Sequence, residues 1–303
     1  MVKIIIQNCP ACGSSKYEKV LTASDYLVSG ESFEIMECND CSLRFTSPIP
    51  DSNEVVNYYE SDKYISHVKR VTSIFEAVYK IVRKFTLCSK RKIVKRISQK
   101  KSGSILDIGC GTGEFLKTMK QSGWEITGVE VNEEARKLAD MNTNSVILTQ
   151  TEFIESTQKY DLITLWHSFE HLHKLEKYLN KISTSLNTNG VVIIAVPNYK
   201  SFDAEYYQHN WAAYDVPRHL YHFSPEAMVR LIEKFNFKLI QSKQLPFDPF
   251  YVSLLSEISV RLRRNVVKAM LVGWKSYWQG RRDSKKGSSI LYILKANEDT
   301  ELN

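Results

Sequence analysis

The chain has 303 residues, a formal net charge of +7 and six cysteines. That length allows one domain of ordinary size plus additions, and no apolar run approaches the roughly 20 residues of a membrane span. The apolar part of Met1-Val2-Lys3-Ile4-Ile5-Ile6-Gln7 is too short for a signal peptide, so the expected location is the cytoplasm, where cysteines stay reduced.

Residues 1–60 read as a small irregular module. Cys9-Pro10-Ala11-Cys12 and Cys38-Asn39-Asp40-Cys41 form two Cys-x-x-Cys knuckles with 25 residues between them. Four thiolates so paired suit tetrahedral zinc, and a module this small needs a staple. Four protein ligands leave no open position, so the metal is structural. Cys88 and Cys110 lack partners at that spacing and read as structural thiols.

A turn-rich linker, Thr46 to Ser52, leads to a basic helical segment, 61–103. From Asp62 to Lys101 stand thirteen basic residues and two acids; from Arg261 to Lys286 stand nine and one. Those two stretches carry +11 and +8, which leaves −12 for the remainder. Such concentration suggests a local anionic partner, and two solvated helix faces explain it equally well. Helices are predicted over 68–86 and 90–99, the second ending at Ser102-Gly103.

Beyond Gly103 the pattern alternates β and α, which calls for a parallel sheet covered on both faces. Strand one, Ile105 to Ile108, enters the turn Gly109-Cys110-Gly111-Thr112-Gly113 and a helix opens at Glu114. Glycines there permit a tight turn whose backbone lies against a ligand. A dinucleotide fingerprint would have its third glycine at the sixth position, but that residue is Glu114, a carboxylate where a pyrophosphate would sit. Strand two, Glu125 to Glu130, ends in an acid about 20 residues past the turn, placed to accept ribose hydroxyls. Strand three is Ser145 to Gln150, strand four Tyr160 to Trp166, strand five Gly190 to Asn198. The stretch Tyr199 to Phe223, rich in aromatics and histidines, is the candidate substrate lid. Ser224-Pro225-Glu226 starts a helix that runs to Phe235. Strand six is Phe237 to Gln241 and the last strand Ser289 to Leu294.

The Asp107-x-Gly109-x-Gly111-x-Gly113 pattern resembles the first motif of class I S-adenosylmethionine (SAM)-dependent methyltransferases. Strand four running into Glu170-His171-Leu172 is very like that family's fourth motif. The resemblance covers roughly 104–243 and 288–296. It implies a Rossmann-like seven-stranded sheet with helices on both faces, formed by 104–243 and 288–303. It implies SAM as cofactor, held by Asp107, Gly109, Cys110, Gly111 and Gly113, with Glu130 and Val131 at the ribose. Glu152 and Phe153 then meet the adenine, and Trp166 and His167 lie near the sulfonium. The helical segment before strand one covers the cofactor, and Tyr58, Tyr59 or Tyr64 either touches it or simply packs.

Module, linker and lid also resemble the methyltransferases of sugar and surface-polysaccharide biosynthesis, which carry a similar four-cysteine domain. Their lid base lies in a Tyr-x-Glu-His-Leu pattern; here the stretch is Val216-Pro217-Arg218-His219-Leu220, with the histidine alone retained. The expected reaction is methylation of a hydroxyl on a sugar, nucleotide-sugar or lipid-linked intermediate, in surface-polysaccharide or secondary metabolism. His219 is the expected base, with His167 and His222 in reserve. Two alternatives stay open: an RNA methyltransferase with a zinc module, and a non-catalytic SAM-binding scaffold. The acidic balance outside the basic segments and the lack of an Asn-Pro-Pro-Tyr motif after strand four count against RNA. The insertion 244–287 reads as basic amphipathic helices carrying Trp274 and Trp278. Residues 250–286 then either pack on the lid or rest on the inner face of a membrane.

Overall fold

A computed structural model describes residues 3–51, 54–59, 73–260 and 265–297. Tyr64, one of the expected cofactor neighbours, lies outside them.

The N-terminal module is built on β1 (Lys3–Ile4), β2 (Tyr17–Ser24), β3 (Ser32–Cys38), β4 (Arg44–Thr46) and β5 (Ile49–Pro50). Strands β2, β3 and β4 form an antiparallel meander, and β1 pairs with β5. Each knuckle folds back on itself: Gly13 N–H donates to Cys9 C=O, and Ser42 N–H to Cys38 C=O.

Where two helices were expected there is one, α1 (Ser73–Ser98). Residues 86–89 contain no glycine or proline, so nothing there breaks the i→i−4 ladder. The core follows as β6 (Ser104–Ile108), α2 (Glu114–Lys120), β7 (Glu125–Val129), α3 (Glu133–Thr143), β8 (Ile147–Leu148), α4 (Gln150–Glu155) and β9 (Tyr160–Trp166). It continues with α5 (Leu175–Thr184), β10 (Leu186–Pro197), α6 (Phe202–Tyr207), β11 (Tyr221–His222), α7 (Pro225–Lys234) and β12 (Phe237–Gln244). Last come α8 (Asp248–Val260), α9 (Val266–Arg282) and β13 (Ser289–Ala296).

The main sheet has seven strands in the order β12-β13-β10-β9-β6-β7-β8. Strands β6 to β10 are parallel, with Leu106 opposite Thr127 and Ile163. The expected seven-stranded sheet is present, and within it β13 runs antiparallel to both β10 and β12, pairing Tyr292 with Ile194 and with Ser242. The reason is topological. The α8–α9 hairpin leaves β12 and re-enters β13 on the same edge of the sheet, so the second strand must run back.

Near-continuous apolar runs fit strands buried on both faces. Leu162, Ile163, Leu165, Val192, Ile193, Ile194 and Ala195 are fully buried. One face joins a cluster with Cys9, Ala11, Leu43 and Phe45 of the module, and the other packs under α1 and α2 through Val94, Phe115 and Leu116. A third cluster unites Phe33, Ile35 and Tyr58 with the lid's Tyr199, Trp211 and Tyr214 and with Val252 and Val272 of the hairpin.

Candidate functional site

The three glycines of the turn after β6 all have positive φ: 76° at Gly109, 54° at Gly111 and 78° at Gly113. They do different work. A Cβ on Gly109 would stand 2.4 Å from Cβ of Ser168, and one on Gly113 would stand 3.1 Å from the Ala139 backbone. Those two let the turn nest against β9 and α3. Beside Gly111 there is nothing within 4 Å, so its face is open to a ligand.

The end of β7 locks onto that turn. Glu130 accepts from Gly111 N–H at 2.8 Å and from Asn132 N–H at 2.9 Å. Its neighbour Val131 leaves an apolar side chain 68% exposed. Asp107 lies beneath, fully buried, accepting from Thr164 Oγ1 at 2.6 Å. Burial pushes its carboxyl up to about 7, against the pull of Thr164 and Lys90. Cys110 is buried in the turn, and burial raises its thiol.

Glu152 and Phe153 lie in helix α4 rather than in a loop. Strand β8 stops at Leu148, and Thr149 caps α4 in a capping box with Glu152. Phe153 is fully buried against Tyr178. The sequence signal was present in the Thr-x-x-Glu spacing of 149–152.

At the carboxyl end of β9, Trp166 meets Phe115 edge-on at 5.5 Å, and the Lys90 ammonium sits 4.5 Å from its ring. Burial lowers the Lys90 pKa, and Asp107 and Asp248 oppose that. His167, at φ 54°, places Nε2 3.0 Å from Asp248 and Nδ1 3.6 Å from Glu170. Burial alone would favour neutral imidazole; the two carboxylates override it and raise the pKa to about 10. His167 is therefore imidazolium at neutral pH, a charge carrier rather than a resting base.

Glu170 is completely buried between two histidines, 3.6 Å from His167 and 3.9 Å from His219 Nε2. The His219 Nδ1 can only donate to Ala213 C=O, at 2.8 Å, which leaves Nε2 as the end free to move a proton. Of the three expected bases, His167 and His219 flank Glu170. His222 lies next to His219: its ring contacts Thr46 Oγ1, the hydroxyl that donates to His219 C=O, and burial drives its pKa well down. Tyr59 meets His171, while Tyr58 is buried on Phe33.

The lid is clamped to the module. Strand β11 adds to β4, with Tyr221 opposite Phe45. Arg218, 2% exposed, donates to Asp25 of the module at 2.8 Å, to Asp215 at 2.7 Å and to Tyr58 C=O at 2.9 Å. Asp203, fully buried, accepts from Trp211, Ser276 and Ser288 and so ties lid to α9 and β13.

Cys9, Cys12, Cys38 and Cys41 bring their sulfurs within 4.8 Å of one another. The Cys9–Cys41 and Cys12–Cys38 sulfur separations are 3.4 and 3.5 Å, close to the spacing of thiolates about 2.3 Å from one tetrahedral zinc. The four residues fit that ion. The glycine turn fits SAM on separate grounds: the open face at Gly111, the exposed Val131, and the Lys90 side chain over Trp166 at the end of β9. Lys90 and Asp248 escape a sequence reading because they reach the site from α1 and α8, far away along the chain.

This strand order and glycine turn define a Rossmann-like methyltransferase fold. Residues 82–242, just over half of the chain, match the family described as "Methyltransferase domain", and the chain belongs to that family. It is 30% identical over 115 residues to an uncharacterized methyltransferase of Alkaliphilus oremlandii, covering 37% of this chain and 53% of that one. It thus spans about half of that relative's length. A ubiquinone biosynthesis O-methyltransferase of Pelagibacter ubique is 24% identical over 184 residues, 54% of this chain and 74% of its own. The solved magnesium protoporphyrin IX methyltransferase of Synechocystis PCC 6803 superposes with a TM-score of 0.53 at 11% identity, covering 82% of this chain and all of that one. At that identity the likeness shows the fold alone.

Proposed function

We propose that this protein transfers a methyl group from SAM to a hydroxyl of a small-molecule acceptor, with His219 as the base. The observation that carries the reading is the Glu130 carboxylate bridging Gly111 and Asn132 beside an open glycine face. SAM, when bound, supplies an already activated methyl group. The chain's part is to hold the acceptor in line and to take one proton. Glu130, with Val131 beside it, would hold the ribose, and Lys90 would be a counter-charge for the amino-acid carboxylate. His219, fixed through Nδ1, would take the acceptor proton at Nε2. Glu170 would stabilise the imidazolium so formed. A sugar, nucleotide-sugar or lipid-linked acceptor follows from the module-and-lid resemblance; relatives named as O- and as N-methyltransferases both occur.

The test is incubation with methyl-labelled SAM and cell extract, followed by separation of lipid, nucleotide-sugar and RNA fractions. Label is expected in a small-molecule or lipid fraction; label in RNA would overturn the acceptor class. His219→Ala should keep SAM affinity and lose turnover by about 100-fold or more, the usual share of a general base. Unchanged turnover would remove His219 from the mechanism.

A further inference from the structure

Helix α9 is built the wrong way round for a core helix. It turns small residues inward: Ala269, Val272, Gly273, Ser276 and Gly280 are buried. The packing needs them small, since a Cβ on Gly273 would lie 2.9 Å from the Phe250 backbone. Its large apolar residues point out instead. Val267 is 72% exposed, Leu271 64%, Trp274 58% and Trp278 44%. Spacings of 4, 3 and 4 place these four on one helical face.

The rim of that face is cationic. Lys275, Arg281 and Arg282 are exposed, and no acid occurs between Val266 and Arg282. Lys268 stands at the same flank beside the half-exposed Tyr206, but its charge is paired with the buried Glu257 at 2.9 Å, so the rim rests on Lys275, Arg281 and Arg282. A face of this kind asks for an occupant that is both apolar and anionic. A second copy meeting it face to face would set cation against cation. Tryptophans favour the headgroup boundary, where the ring is apolar and the N–H finds water. No helix of the described residues is long and apolar enough to cross a membrane, so contact must be at the surface.

We propose that the Val267–Trp278 face of α9 rests on an anionic lipid surface, with its basic rim on the headgroups. This is independent of the methyl-transfer reading. It would also set the reaction centre near the lipid, because α8, the other arm of the hairpin, begins at Asp248, the ion-pair partner of His167.

Co-sedimentation of the full chain, without SAM, with phosphatidylcholine vesicles and with vesicles containing about one-third phosphatidylglycerol tests this. Binding is expected to the anionic vesicles only, with a blue shift of tryptophan emission and weakening at high salt. Trp274→Ser with Trp278→Ser, and separately Arg281→Gln with Arg282→Gln, should each weaken binding about tenfold or more. All four residues are solvent-facing, so circular dichroism should show an unchanged fold. Failure of the wild-type chain to bind, binding unchanged in both variants, or a dimer that the tryptophan variant dissolves would each overturn the proposal.

Discussion

Two glycines two residues apart separate folding from binding. Gly109→Ala forces a Cβ to 2.4 Å from Ser168 at φ 76°, so strand β6 or β9 must shift. A loss of roughly 3 kcal/mol or more in unfolding free energy is expected. Gly111→Ala meets open space and costs only the left-handed backbone, about 1 kcal/mol. Its damage should appear instead in calorimetric affinity for SAM or its demethylated product. Equal losses of stability in both variants would refute that division. His167 gives a pH prediction. Its pKa is raised from the ordinary 6.5 to about 10, so the stability it contributes is complete below about 6.5 and lost as pH rises through about 10. The denaturation midpoint should fall between pH 7 and 9. Asp248→Asn, which removes the nearer carboxylate, should flatten that slope. The glycines, Glu130 and the cysteine pairs were legible in the sequence because local spacing fixes them. The pairing of His167 with Asp248 was not, since it joins a strand end to a helix some 80 residues later.

At the scale of elements, the lid is a partner of the four-cysteine module as much as of the sheet. Its strand β11 completes the module's sheet, and Arg218 buries its charge against Asp25. Removing one side of a buried pair leaves the other uncompensated, so Arg218→Met is expected to cost about 3–5 kcal/mol. Asp25→Asn keeps an acceptor for the guanidinium and should cost less. Metal removal should act on the same joint. A chelator strong enough to strip the four cysteines should loosen β4, release β11 and raise hydrogen exchange at Tyr221 and His222. Methyl transfer should fall with it, while the cofactor affinity set by the glycine turn is largely retained. Protection of the lid unchanged after loss of metal would sever module from lid. In the sequence they stand far apart, a module over residues 1–60 and a lid from Tyr199 to Phe223. Only the cross-strand register of Phe45 with Tyr221 shows them to be one sheet.

At the scale of the whole molecule, the four-cysteine module and the main sheet share a hydrophobic core. One hydrophobic cluster holds Cys9, Ala11, Leu43 and Phe45 together with Phe223, Leu231 and Tyr292 of the main sheet's side. A second spans the module, the lid and the α8–α9 hairpin. Periodicity could locate the strands, because each strand's own pattern records its burial on both faces. It could not report that segments far apart in sequence share a core, because pattern records burial and not against what. The shared core makes a strong expectation about truncation. Deleting residues 1–50 removes Leu43 and Phe45, both fully buried, strips β11 of β4, its paired strand among the described residues, and leaves Arg218 without Asp25. An exposed edge beside an apolar patch is a template for aggregation. The fragment 51–303 should therefore be largely insoluble, or expanded and without a cooperative unfolding transition. Size-exclusion chromatography with thermal denaturation decides it. A monodisperse fragment that unfolds cooperatively near the full chain's midpoint would show instead that the methyltransferase sheet stands alone and the module is an accessory.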